Sequence, residues 1–290
     1  MLQLDIDGPG ALIPLNDDLL IGGDCDDVLA RLPDGRFDLI YIDPPFNTGS
    51  TQTLPRMRTE QDRDGSSGGF GGRRYRREIV SALSYDDAFE DFVEFIAPKL
   101  RRARELLAQH GTLYFHIDYR EAHYCKLVLD GIFGRGSFLN EIIWAYDYGA
   151  RTKKRWPAKH DTILVYVKDP DRYWFDSDEV DREPYMAPGL QTADRVARGK
   201  LPTDVWWHTI VPTNGRERTG YPTQKPEGIV RRMVAASSQP DGWCLDFFAG
   251  SGTLGAVAQR LGRRFVVVDK NPQAVAVMRR RLAPPPRKPA

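Results

Sequence analysis

Residues 245–255 read Leu245-Asp246-Phe247-Phe248-Ala249-Gly250-Ser251-Gly252-Thr253-Leu254-Gly255. The apolar run Trp243–Phe248 leads in and a helical pattern follows, so the glycines occupy a strand-to-helix turn. Gly250, Gly252 and Gly255 satisfy G-x-G-x-x-G, in which glycines permit the tight turn and let the backbone approach a ligand closely. Nineteen residues after Gly250, Asp269 ends the next apolar strand, Phe265–Val268. A carboxylate there can accept hydrogen bonds from both hydroxyls of a ribose, so the pair predicts an adenosine-containing cofactor. Taken alone, the glycines also suit a turn that only packs helix on sheet. Position separates the cofactors. A nicotinamide-binding domain opens with this fingerprint and adds several βα units after it. Here only the Asp269 strand and one helix over 272–282 remain, so the other strands come from the N-terminal side in permuted order. That counts strongly against a nicotinamide oxidoreductase.

Elsewhere in the chain, apolar runs predict strands at Leu19–Ile21 before Gly22-Gly23-Asp24, Phe37–Ile42 before Asp43, Thr112–Ile117 before Asp118, Ile142–Trp144 and Thr162–Val167. A helix lies between the second and third. Asp87 is its expected cap with Glu90 three residues on; Phe92, Ile96, Leu100 and Leu107 repeat at helical spacing, and Gly111 is its expected stop. Strands alternating with helices predict an α/β fold with a doubly wound, mainly parallel sheet covered on both faces. Two stretches break the rhythm. Residues 50–80 carry a glycine-rich run and then Arg73, Arg74, Arg76 and Arg77, and read as a long basic loop. Residues 145–220, rich in Trp, Tyr, Pro and charge, read as an inserted lobe. The proline-rich basic tail, 283–290, is expected to be disordered.

The chain has 290 residues, 41% hydrophobic and 28% charged, enough for a sizeable core without staples. Lys+Arg number 41 against 40 Asp+Glu, so only local patches can favour a polyanion. Three cysteines without a C-x-x-C pair disfavour both a disulfide framework and a zinc site, and five scattered histidines lack ligand spacing, so no metal is expected. Cys25 reads as a small buried hydrophobe. Residues 1–7 do not resemble a signal peptide, and no run of about 18 apolar residues exists to span a bilayer; a cytoplasmic protein is expected.

Asp43-Pro44-Pro45-Phe46 follows the Phe37–Ile42 strand at the edge where open α/β sheets bind ligands. Prolines fix φ and hold the preceding residue extended, so the turn is rigid. It offers a carboxylate and carbonyls to an exocyclic amino group, and Phe46 as a stacking face; a plain strand-terminating turn with Phe46 in the core fits the same residues.

With both motifs in view, the chain resembles the β-class S-adenosylmethionine-dependent DNA amino methyltransferases. Asp43-Pro44-Pro45-Phe46 is similar to their D/N/S-P-P-Y/F catalytic motif and Phe248-Ala249-Gly250-Ser251-Gly252 to their F-x-G-x-G cofactor motif, in the β-class order. Gly23-Asp24 resembles the acidic contact to the cofactor adenine. His160-Asp161-Thr162-Ile163-Leu164-Val165-Tyr166 resembles the motif closing the catalytic region, and Tyr221-Pro222-Thr223-Gln224-Lys225-Pro226 the segment holding the methionine moiety.

The resemblance implies a Rossmann-like fold of permuted β-class order. The catalytic part is expected at 1–144, a target-recognition insertion at 145–220 and the cofactor part at 221–282. It implies methyl transfer from S-adenosylmethionine to an amino nitrogen of a flipped base in duplex DNA, adenine N6 before cytosine N4, with RNA, protein and nicotinamide chemistry as more distant alternatives. Asp43 would accept the amino protons, freeing the lone pair, and Phe46 would stack on the base. That stacking is worth about 1–3 kcal/mol against a flipping cost of a few kcal/mol. Cofactor contacts are expected from Asp24, Asp43, Thr223, Lys225, Pro226, Phe248, Ala249, Gly250, Ser251, Gly252, Thr253 and Asp269. Phosphate contacts are expected from Arg73, Arg74, Arg76, Arg77, Lys153, Lys154, Arg155, Arg216 and Arg218. A homodimer, a cognate restriction endonuclease acting on the same site and a place on the nucleoid complete the expectation.

Overall fold

Strand Phe37–Ile42 (β3) is buried along its whole length, as a central strand covered on both faces must be. Leu39 and Tyr41 face one layer and Ile40 and Ile42 the other, the period of two that builds the core. The computed structural model describes residues 1–46, 91–149 and 151–283, and between the first two spans the backbone of strands β4 (Gln52–Gln61), β5 (Ser67–Gly68) and β6 (Arg74–Tyr85).

Nine strands form the main sheet. In chain order they are β1 (Leu2–Asp5), β2 (Leu19–Gly22), β3, β7 (Leu107–Ile117), β8 (Phe138–Ala145), β9 (His160–Val167), β10 (Val205–Trp207), β11 (Trp243–Asp246) and β12 (Arg264–Asp269). Their spatial order is β1-β2-β12-β11-β3-β7-β9-β8-β10, parallel throughout except that β9 runs antiparallel to both neighbours. The last two strands of the chain therefore slot between the second and third, as the permuted order requires. Helices α1 (Cys25–Ala30), α2 (Phe92–Leu106) and α3 (Ala122–Phe133) cover one face, and α5 (Glu227–Ser237), α6 (Thr253–Arg260) and α7 (Pro272–Arg281) the other. A short helix, α4 (Ala193–Arg198), has no buried residue.

Three expectations change. The cap of α2 is Asp91, whose side chain accepts from the Glu94 N–H at 2.9 Å; Asp87 and Glu90 lie outside the described residues. Gly111 does not stop the helix, which ends at Leu106. It lies within β7, where a Cβ would come 2.6 Å from the Phe37 carbonyl, so close strand approach is its reason. Residues 50–80 are not a loop throughout: β4, β5 and β6 pair antiparallel in a separate sheet of order β4-β6-β5. Within 145–220, β9 and β10 belong to the main sheet, and 146–159, 168–204 and 208–220 stand off it. Among the described residues no helix is long and apolar enough to cross a membrane.

Candidate active site

Because β11 lies between β12 and β3, the glycine turn after β11 and the Asp-Pro-Pro-Phe turn after β3 open at the same sheet edge. Between them is a cleft of about 450 Å³. Asp24, Asp43, Pro44, Pro45, Phe46, Thr223, Lys225, Phe248, Ala249, Gly250, Ser251, Thr253 and Asp269 all line it. Pro226 and Gly252 do not. Pro226 is the buried cap of α5, and Gly252 (φ +74°) the cap of α6, where a Cβ would lie 2.8 Å from Met278 Cγ.

The glycine turn is tied down from within. Asp246 accepts the Phe248 N–H at 3.0 Å, and Asp269 accepts those of Gly250 and Asn271 at 2.8 Å each. Gly250 has φ +49°, and a Cβ on it would lie 3.1 Å from Tyr221 Cε1. The hydroxyls of Ser251 and Thr253 are 3.2 Å apart and are both reached by Arg281 Nη1 at 3.1 Å; Thr253 Oγ1 donates to the Lys225 carbonyl at 3.2 Å. These groups clasp the 221–227 segment to the glycine turn, leaving main-chain groups and walls to receive a ligand.

Electrostatics fit a cationic ligand. Burial pushes the Asp246 carboxyl well above the usual range, and Asp43 and Asp269 nearby add to that. Burial likewise raises Asp269 against the two N–H groups it accepts. A sulfonium would relieve this crowding of carboxyls, while Phe248 and the flush glycine leave room for a flat adenosine. Asp24, half-exposed and 3.8 Å from Lys270 Nζ, caps α1 at the far end. S-adenosylmethionine therefore suits the residues present; bound, it supplies an electrophilic methyl group.

At the target end, Lys225 Nζ donates to Asp43 Oδ1 at 2.8 Å and lies 4.4 Å from the centre of the Phe46 ring. Behind them is a network that sequence reasoning missed. His116, fully buried on β7, has Nδ1 3.0 Å from the Tyr41 hydroxyl and 3.8 Å from Asp43 Oδ1, and Nε2 3.2 Å from Asp161 Oδ2. Burial works to raise Asp161, but His116, Lys225 and Tyr146 outweigh it and hold the carboxyl below its usual range. An ionised Asp161 accepts, so His116 presents Nε2–H to it, while Nδ1 and the Tyr41 hydroxyl share the hydrogen bond on the other side of the ring. Burial above all, then Asp43, Asp246 and Asp161, raise that phenol well above its ordinary range and keep it protonated. The histidine ring packs between Phe46 and Trp144, with centroids at 5.7 and 5.6 Å. The one signal in sequence was His160-Asp161 at the head of the motif closing the catalytic region; nothing in the sequence marked Tyr41 or His116. The cleft also takes Tyr221, Phe95, Lys99 and Asn271.

Lys153, Lys154 and Arg155 are exposed between β8 and β9, and Arg216 and Arg218 are exposed ahead of the 221–227 segment. Arg73 lies outside the described residues; Arg74, Arg76 and Arg77 fall on the backbone of β6, where side chains are not described. Cys25 is buried, and burial pushes its thiol up to about 12, so it is no nucleophile.

Comparison with known proteins agrees. The chain is 28% identical over 268 residues to the type II methyltransferase M.HpaI of Haemophilus parainfluenzae, covering 92% of this chain and 74% of that one. It is 28% identical over 271 residues to the DNA adenine methyltransferase YhdJ of Escherichia coli K12, covering 91% and 82%. The solved PvuII DNA methyltransferase, cytosine-N4-specific, superposes with a TM-score of 0.63 at 16% identity over 93% of this chain and 87% of that one, a likeness of fold. A family model described as DNA methylase, of the N6/N4 type, matches residues 37–280. The chain belongs to this N6/N4 DNA methylase family and is an S-adenosylmethionine-dependent, site-specific DNA amino methyltransferase acting on adenine N6 or cytosine N4.

Proposed function

We propose that the amino nitrogen methylated is adenine N6, and that Asp43 with the main chain of the Pro44-Pro45 turn accepts its two protons. The observation that carries the role of Asp43 is that it shares one cleft with the glycine turn and is held at 2.8 Å by Lys225 from the cofactor half; Asp rather than Ser at position 43 leans the choice of base toward adenine by family tendency. An aromatic amine is a poor nucleophile because its lone pair is conjugated; two accepted hydrogen bonds favour a pyramidal nitrogen that can attack in line. Phe46 stacks on the flipped base, and Lys225 and the His116 network keep Asp43 and Phe46 in place, so positioning and electrostatics carry the rate. Asp24 and Asp269 take the adenosine end, Phe248, Ala249 and Gly250 the walls, and Thr223 and Lys225 the methionine end. Segments 50–80 and 145–220 meet the duplex through the arginines and lysines named above.

Cytosine N4 is the second reading, because it presents the same amino group and the PvuII neighbour is specific for it. Incubation with S-adenosylmethionine and unmethylated duplex DNA, then nucleoside mass spectrometry, tests both: N6-methyladenine is expected, N4-methylcytosine selects the second reading, and no methylated base defeats both. The same reading includes a homodimer, a cytoplasmic place on the nucleoid and a cognate endonuclease blocked by the modification. Sedimentation tests the first, and digestion of modified DNA the last.

A further inference from the structure

Trp156 is 94% exposed, more so than any other tryptophan among the described residues. It ends the run Arg151-Thr152-Lys153-Lys154-Arg155-Trp156, whose residues are all exposed and include no acid. The segment leaves the sheet at Ala145 and re-enters at His160. Its neck is closed by the Tyr146 N–H donating to the Lys159 carbonyl at 3.0 Å and by the Tyr146 hydroxyl donating to Asp161 at 2.9 Å. Strand register places this neck at the catalytic edge, since Ile42 pairs with Phe115 on β7 and Ile117 pairs with Thr162 on β9. Arg155 Nη2 reaches the Tyr119 hydroxyl at 3.4 Å, just beyond the end of β7, which keeps the tip on that edge. Tyr119 and Tyr148 are exposed as well.

A large apolar ring held in water amid four cations has the two parts of a nucleic-acid contact, charges for phosphates and a flat face for bases. Trp207 offers the contrast: it is 74% exposed at the sheet edge on β10, between Trp206 and His208, with no neighbouring cation in sequence. Extruding a base leaves a gap in the stack, and an indole entering from the same edge as Asp43 restores the lost stacking.

We propose that Trp156 enters the duplex at the target position and fills the space the flipped base vacates, while Arg151, Lys153, Lys154 and Arg155 hold the flanking phosphates. This rests on the DNA amino methyltransferase reading, and the two fail separately. A wild-type chain that methylates no DNA defeats that reading, whereas a Trp156 variant of an active enzyme bears on the wedge alone.

Once the wild type has mapped its site, a duplex with 2-aminopurine at the target reports flipping, and the natural duplex reports turnover. Trp156→Ala is expected to lower both the fluorescence gain and kcat/KM about ten- to a hundredfold. S-adenosylmethionine affinity and Tm should stay unchanged, because the side chain touches little of the protein. Trp156→Phe should recover most of the loss, a mismatch opposite the target should restore the alanine variant, and Trp207→Ala should resemble the wild type. Unchanged flipping in Trp156→Ala overturns the proposal. So does a loss that a mismatch does not relieve, which would mark Trp156 as a general affinity contact.

Discussion

Alanine at Gly250 and at Gly252 should separate binding from folding, although the two glycines stand two residues apart. Both have positive φ, +49° and +74°, so a Cβ at either costs about 1–2 kcal/mol of left-handed strain. Their surroundings differ. The new methyl at 250 comes 3.1 Å from Cε1 of Tyr221, a ring that lines the cleft, so the shift it forces is felt at the cleft wall. The methyl at 252 falls 2.8 Å from Cγ of Met278, which is fully buried, and overpacking there adds about 1–3 kcal/mol. Gly250→Ala should therefore lower Tm by only a few degrees, at roughly 2 °C per kcal/mol for a chain of this size, yet weaken S-adenosylmethionine binding about tenfold or more. Gly252→Ala should lower Tm by roughly 4–10 °C and leave cofactor affinity, measured well below the transition, within about threefold of wild type. Scanning calorimetry and titration calorimetry on the same preparations give both numbers. The reasoning fails if Gly250→Ala binds cofactor normally, or if Gly252→Ala loses affinity while keeping its Tm.

Asp43→Ala should abolish methyl transfer while leaving cofactor affinity within severalfold, since Asp269, Gly250 and the clasp remain; radiolabel transfer and titration check the two sides. Cofactor binding should release protons. The carboxyl of Asp246 is raised by burial, a cation beside it lowers it again, and affinity should rise with pH. Calorimetry in buffers of different ionisation enthalpy should show more release with S-adenosylmethionine than with S-adenosylhomocysteine, which lacks the sulfonium charge; equal release would count against Asp246 facing the sulfonium. The raised Asp246 also favours the fold below the unfolded carboxyl range and loses that contribution as pH rises through its folded value. Asp246→Asn should accordingly raise Tm at pH 8 more than at pH 4. Replacing Lys153, Lys154 and Arg155 together by Ala should flatten the salt dependence of DNA binding, by about 0.9 in log–log slope for each phosphate these cations neutralise.

The sequence was most legible where backbone geometry demands particular residues. Gly250 and Asp269 are readable because a tight turn needs glycine and the next strand's end needs an acid, and the structure joins them by a 2.8 Å hydrogen bond. Asp43 is readable because two prolines make its turn rigid. His116 and Tyr41 were not, since each is one residue in an ordinary buried strand, and only the pairing of β3, β7 and β9 makes them neighbours of Asp161. Ser251 and Thr253 line the cleft as their place in the motif suggests, but the motif gives no sign that Arg281, at the end of α7, reaches both hydroxyls. The segment 50–80 hid its strands because glycine runs and arginines lack the alternation that marks one.

Chain order separates the two halves of the site, yet the geometry makes them one mechanical unit. Asp43 and Lys225 are 182 residues apart in sequence and 2.8 Å apart in space. The Lys225 carbonyl takes a hydrogen bond from Thr253 at the start of α6, so its residue bridges the base-facing turn and the cofactor turn. The 221–227 segment is itself fixed. Gln224 accepts from Thr219 N and Oγ1 at 2.8 Å each and donates to the Glu217 carbonyl at 2.7 Å, and Glu227 pairs with both Arg260 and Arg281. Thr223, with φ +55°, stores strain in the middle of this brace. A shift of the glycine turn on cofactor binding must therefore be felt at Asp43 through Lys225. The proposed acceptor of the amino protons is thus positioned by the same bonds that brace the cofactor turn. Permuting the chain costs nothing here, because register in the sheet, not order in the sequence, brings β11 beside β3.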